Sequence, residues 1–252
     1  MTHRFSHRIG RFLVTAVTVI QLVQAAPLGG RMPKYASNAD PGVLPPQSRP
    51  YALTYGEWSA RWWQWAFSLP LHKSPLFGTA DCSEGQSGPV WFLPGAALGG
   101  PTPRQDCTIP AGKALFVAII NAECSNLEGS GETEGELRDC ADSIGSLIES
   151  GKLRATLDGQ PLNNLSQYQV ESPMFYFGPL PDDDLITHYC IDQPESCLAA
   201  PRKSTGVGVG VGVYVMLRPL AVGPHKLEFH GEIQTDHFVF VVDTQYHLIV
   251  RP

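Results

Sequence analysis

Charge is scarce in this 252-residue chain: 17% of residues are Asp, Glu, Lys or Arg, and 18 basic residues stand against 24 acidic ones, a formal net charge of −6. Nothing is basic beyond the first dozen residues, which excludes a nucleic-acid binder working through a Lys/Arg patch. Long apolar runs are missing as well. The longest, Phe12 to Val23, is interrupted by Thr and Gln and is too short for a helix spanning hydrocarbon, which needs about 20 residues. There is no Cys-x-x-Cys pair, so a zinc-thiolate site lacks its usual spacing, and no H-E-x-x-H. Serine-hydrolase signatures are absent too. Gly85-Gln86-Ser87-Gly88 has Gln where a protease loop carries Asp and lacks the second Gly of a nucleophile elbow, and His72 lies too close upstream for a chymotrypsin-like triad. It reads as a tight turn.

What is present is ample for a core, with 43% hydrophobic and 10% aromatic residues. Residues 1–26 read as an export signal. Arg4, Arg8 and Arg11 precede the apolar run, and Val23-Gln24-Ala25-Ala26 supplies small residues for cleavage. The expected location is secreted or periplasmic, with no membrane span once the signal is removed. Loss of those three arginines leaves 15 basic against 24 acidic residues, a net of −9, which disfavours anionic partners such as nucleic acid. Residues 27–50 hold six prolines and no apolar period, a flexible lead-in to a single disulfide-bonded β-rich domain over 51–252. In an oxidising compartment six cysteines read as three bridges, and proximity along the chain favours Cys82–Cys107, Cys124–Cys140 and Cys190–Cys197.

Thr54-Tyr-Gly-Glu57 matches a capping box, and the helix it opens runs to Pro70. Trp58, Trp62, Trp65 and Leu69 share one face of that helix, as core anchors do, which leaves Trp63 and Phe67 off the stripe as exposed contacts. A second helix is predicted over Glu136 to Ser150, with Gly151 closing it. The remaining segments read as strands: Pro89–Leu93, Ala114–Ile120, Leu153–Leu157, Gln167–Phe177, Val207–Leu217, His225–Glu232 and His237–Val250. Many short strands with two lone helices predict a mainly β fold, a β-sandwich or jelly roll. The Gly-Val alternation over 206–213 reads as a flexible segment leading into the Tyr214–Leu217 strand, though its glycine face would also admit a closely packed ring.

Two groups of residues invite chemistry. Trp63, Phe67 and Trp91 are the aromatic candidates for ligand contact. Glu228, His230 and Glu232 alternate on one strand face, with His237 opposite its end across a hairpin. Two imidazoles and two carboxylates have the donor types for a divalent metal or an acid–base pair, while the same alternation describes a solvated sheet face. Asp182-Asp183-Asp184 lacks the spacing of a calcium loop and reads as a solvated loop.

Three stretches, Tyr55-Gly-Glu-Trp-Ser-Ala-Arg-Trp-Trp-Gln-Trp-Ala66, Gly88–Leu93 with Cys107–Phe116, and Leu217–Phe229, resemble a family of uncharacterised secreted bacterial proteins. The resemblance implies an exported β-rich domain and carries no activity or site residues. The functional expectation is therefore an exported, non-catalytic β-sandwich that binds a polysaccharide or an envelope protein and needs no cofactor. The alternative is a secreted or periplasmic hydrolase or metal-dependent enzyme using the C-terminal His/Glu cluster.

Overall fold

Both long helices begin where a threonine is followed three residues later by glutamate. At the first, the Glu57 amide donates to Thr54 Oγ1 (3.2 Å) and the Thr54 amide to Glu57 Oε2 (2.6 Å). Thr133 and Glu136 repeat the arrangement at the second. The structure, a computed structural model, describes residues 42–77, 80–95, 100–101, 105–191 and 203–252. The 1–26 signal, residues 27–41 of the lead-in and the Cys190–Cys197 pairing fall outside these residues. The described residues belong to one compact unit, Ala39–Pro252.

In chain order the elements are α1 (Tyr55–Ser68), β1 (Val90–Leu93), β2 (Gly100–Pro101), β3 (Gln105–Pro110), β4 (Ala114–Ser125), α2 (Glu134–Gly145), β5 (Arg154–Leu157), β6 (Gln160–Pro161), β7 (Gln169–Glu171), β8 (Phe175–Phe177), α3 (Leu185–Ile191), β9 (Gly206–Leu217), β10 (Gly223–Gln234) and β11 (Val239–Arg251). They form two mixed sheets. One runs β1-β4-β9-β7 with β8 also on β9; the other runs β2-β11-β10-β5-β6 with β3 also on β11. Val117, Ile120, Val213 and Val215 of the first sheet and Leu227, Phe229, Tyr246 and Leu248 of the second are buried in one core. The sheets meet so closely at Gly231 that a Cβ there would lie 2.8 Å from Ile120 Cβ. The protein is mainly β, as expected, with a sandwich-like pair of sheets and a Trp-rich helix.

Several boundaries differ from the sequence reading, each for a local reason. The segment 167–177 is no continuous strand: Pro173, which has no amide to donate, separates β7 from β8. α2 ends at Gly145 rather than Ser150, because Gly145 is pressed onto β9, where a Cβ would sit 2.8 Å from Val211. α3 was not expected at all. Its start is capped by Asp184, whose carboxylate accepts from the Thr187 amide and hydroxyl, both at 2.8 Å, and Asp184 is buried. Asp182 and Asp183 are solvated as expected, Asp183 in a surface pair with His72 at 2.7 Å, while Asp184 is not. Residues 42–50 already lie on the domain. The Leu44 amide donates to the Met216 carbonyl (2.8 Å), and the Tyr55 hydroxyl donates to the Leu44 carbonyl (2.7 Å).

The largest departure concerns the Gly-Val run. It is no flexible lead but the first two-thirds of β9, a central strand paired with β4 along its length. The valine face packs on α2 through Val209 and Val211, together with Leu137 and Ala141. The glycine face carries α1. A Cβ on Gly210 would stand 2.5 Å from both Cδ1 and Nε1 of Trp63, so the indole lies where a side chain would otherwise be. Beyond the glycines the same face continues with Tyr214, stacked on Phe116 at 5.1 Å and edge-on to Trp62 at 6.4 Å.

Cys82–Cys107 and Cys124–Cys140 are bonded as expected, and the second ties β4 to α2. Gly210→Ala is expected to cost about 1–3 kcal/mol in urea unfolding, because the methyl must displace Trp63. Gly151→Ala, where a Cβ meets nothing within 4 Å, should change stability by no more than about 0.5 kcal/mol. Equal effects of the two substitutions would contradict this packing.

Candidate functional site

β4 is longer than its neighbour β1, and that mismatch creates the site. β1 pairs only with Ala114–Val117, so from Ala118 to Ser125 one edge of β4 has no strand beside it among the described residues. Against this free edge lies a cavity of about 430 Å³. α1 contributes Trp63 and Phe67, the edge itself Asn121 to Cys124, and α2 Cys140 and Ile144. The β10–β11 hairpin closes it with Ile233, Phe238 and Phe240. Leu147, Phe238 and Val239 stay exposed near its rim. The wall is held by the Cys124–Cys140 bridge, since both cysteines line the cavity.

Polar groups collect on the α1 side of that edge. Asn121 pairs with Gly212 and Glu123 with Gly210, so both side chains project over the glycine face of β9, beside Trp63. Five of the eight buried side-chain polar atoms without a hydrogen bond among the described residues belong here: Ser59 Oγ, Trp63 Nε1, Asn121 Nδ2, Glu123 Oε2 and the Tyr214 hydroxyl. They are neighbours, with Asn121, Trp63 and Ser59 grouped around the Tyr214 hydroxyl and Glu123 within electrostatic reach of it.

Glu123 is half-buried as a residue, yet its Oε2 is sealed from solvent. Burial pushes its carboxyl well above the ordinary carboxylate range, and the Glu128 carboxyl, within hydrogen-bonding reach, pushes the same way. Glu128 is held in place by a hydrogen bond donated by Ser125 Oγ at 2.9 Å. A pair this close cannot flank a glycosidic bond, which needs carboxyls roughly 5 Å or more apart.

The candidates chosen from sequence fare unevenly. Trp63 and Phe67 are not exposed contacts. They are 8% and 1% accessible, since α1 is covered on nearly every side, but both line the cavity from within. Trp91 is 6% accessible and lies elsewhere, by a shallow pocket with Asp81, Thr108 and Arg251. Glu228, His230 and Glu232 do share a face of β10. They are engaged separately, with Glu228 on Lys226 (2.7 Å), and Glu232 on both His230 (3.0 Å) and Lys152 (3.6 Å). His237 sits on the exposed hairpin turn, away from them. No group of three or more His, Cys, Asp or Glu side chains among the described residues converges as a metal site. Gln86, in the protease-like loop, braces β1, exchanging hydrogen bonds with the Phe92 backbone at 2.8 and 2.9 Å, and Ser87 is exposed.

Asn121, Glu123, Glu128 and Tyr214 were missed. The signal for the first two was visible, because Asn121 and Glu123 are the polar residues two apart in the otherwise apolar run 114–124. What could not be seen was that glycines lie opposite. No protein-family model matches the chain, and no characterised protein is recognisably similar to it in sequence.

The Glu123 carboxyl sets a pH dependence. Its folded-state affinity for a proton exceeds that of the unfolded chain, so its contribution to stability is greatest at low pH and falls as pH rises from about 4.5 towards the folded value. Glu123→Gln, permanently neutral, should flatten that fall and melt higher than the parent at pH 8. Parallel melting curves for the two proteins between pH 4 and 8 would refute the assignment.

Proposed function

We propose that this protein is an exported, non-catalytic binding domain that holds a small ligand in the cavity beside β4. The observation that carries the reading is the coincidence, at a strand edge with no partner among the described residues, of an apolar and aromatic cavity with a cluster of buried polar groups around the Tyr214 hydroxyl. Binding sites have this composition, mostly apolar walls with a few convergent polar groups. The ligand that fits is amphipathic, with an apolar body among Phe67, Ile144, Phe238 and Phe240 and a polar head towards Asn121 and Glu123. A polysaccharide laid on open aromatic rings fits less well, because Trp63 is already stacked on Phe67 at 5.4 Å and Trp91 is buried. Two disulfides in the fold are compatible with an extracellular or periplasmic location. Among the described residues no helix is long and apolar enough to cross a membrane. An envelope component, sharing that compartment, is the natural source of such a ligand.

The test compares octyl glucoside, below its micelle concentration, with methyl glucoside by titration calorimetry. Saturable binding of the octyl compound alone is expected, and Ala122→Phe, which fills the cavity, should abolish it while leaving the circular dichroism spectrum unchanged. Equal binding of the two glucosides, binding of neither, or binding untouched by Ala122→Phe would overturn the proposal.

A further inference from the structure

The charges lining the cavity are one-sided. Among the described residues that form it, Glu123 and Glu128 are the charged ones and none is Lys, Arg or His. Four aromatic residues, Trp63, Phe67, Phe238 and Phe240, complete the wall. An anionic head group would meet two carboxyls in a partly desolvated place with no counter-charge, an arrangement that costs heavily. A neutral head would leave the carboxyl pair as it is. A cation removes the repulsion that holds a proton on the pair, and aromatic faces attract it as well.

We propose, resting on the reading that the cavity is a ligand site, that its ligand is an organic cation, an ammonium head on an apolar body, seated against Glu123 and Glu128 among the aromatic side chains. No covalent bond forms; a proton held on the buried Glu123 carboxyl leaves to solvent as the ammonium enters. The Tyr214 hydroxyl, with Asn121, Trp63 and Ser59 around it, lies within electrostatic reach of the Glu123 carboxyl. Over longer range, the acidic excess of the chain, −6 formally, draws cations towards it.

The experiment uses three probes with the same eight-carbon tail: octyltrimethylammonium, octyl glucoside and octanoate, titrated calorimetrically into the full-length protein at pH 6 in two buffers of different ionisation enthalpy. The expected order is cation first, by about tenfold or more over the glucoside, and octanoate last. The heat of cation binding should depend on the buffer, reporting proton release, whereas the glucoside heat should not. Glu123→Gln and Glu128→Gln should each reduce cation affinity to the glucoside level. Comparable affinities for the three probes, preference for octanoate, or cation binding without proton release would overturn the ligand class while the cavity reading stands. Binding of none of them would overturn the cavity reading itself, and this inference with it.

Discussion

A helix that carries four tryptophans in eight residues can lie flat on a sheet only where the sheet holds back its own side chains. β9 does so. Its glycines at 206, 208, 210 and 212 leave a bare track, and Trp63 settles onto Gly210 with no room for even a methyl between them. Everything on that side of the molecule follows from the contact. It sets the depth of α1, brings Trp62 against Tyr214, and places the Trp63 indole beside Asn121 and Glu123 on the neighbouring strand. The entropy cost of four strand glycines is borne for this close approach.

The same contact explains why a polar cluster exists at all. Side chains on β9 would have filled the space over β4; glycines leave it to Asn121, Glu123, Ser59 and Tyr214. A fold selected for stability alone would place apolar groups there, since an acid whose proton is held by burial and by a like-charged neighbour is a standing cost. The placing of Glu123 and Glu128 together, next to an aromatic cavity at a strand edge with no partner among the described residues, is the local inconsistency on which the proposed binding site rests. The Cys124–Cys140 bridge adds to this view. It fastens α2 to β4 where one edge of the strand has no partner among the described residues, keeping the cavity wall in place.

Much of the architecture was legible because it depends on local signals. Thr54 with Glu57 announced α1, Asp158-Gly159 announced the β5–β6 turn, and the strand patterns located β10, β11 and the start of β4 to within a few residues. The second capping box, Thr133 with Glu136, was equally readable and would have placed the start of α2 two residues earlier. What stayed hidden depends on pairing across the chain. β3 and β1 are parallel partners of β11 and β4, and nothing in Gln105–Pro110 signals the company of Tyr246–Arg251. The site was hidden for the same reason. Trp63 was singled out as lying off the core stripe, which is correct, but the glycine track that buries it lies nearly 150 residues away. Glu123 gives no sign of its environment until Gly210 is set opposite it.

Because the whole account turns on Trp63, the most direct measurement follows the indole N–H resonances of the five tryptophans by nitrogen-resolved NMR during a titration with octyl glucoside. The indoles of Trp58 and Trp65 donate to the carbonyls of Pro50 and Glu84, at 2.9 and 3.0 Å, whereas that of Trp63 lies beside the Tyr214 hydroxyl and lines the cavity. The Trp63 resonance should move to saturation while those of Trp58 and Trp65 stay in place. A Trp63 signal that does not move at saturation, or one that moves only in step with all the others, would contradict the account.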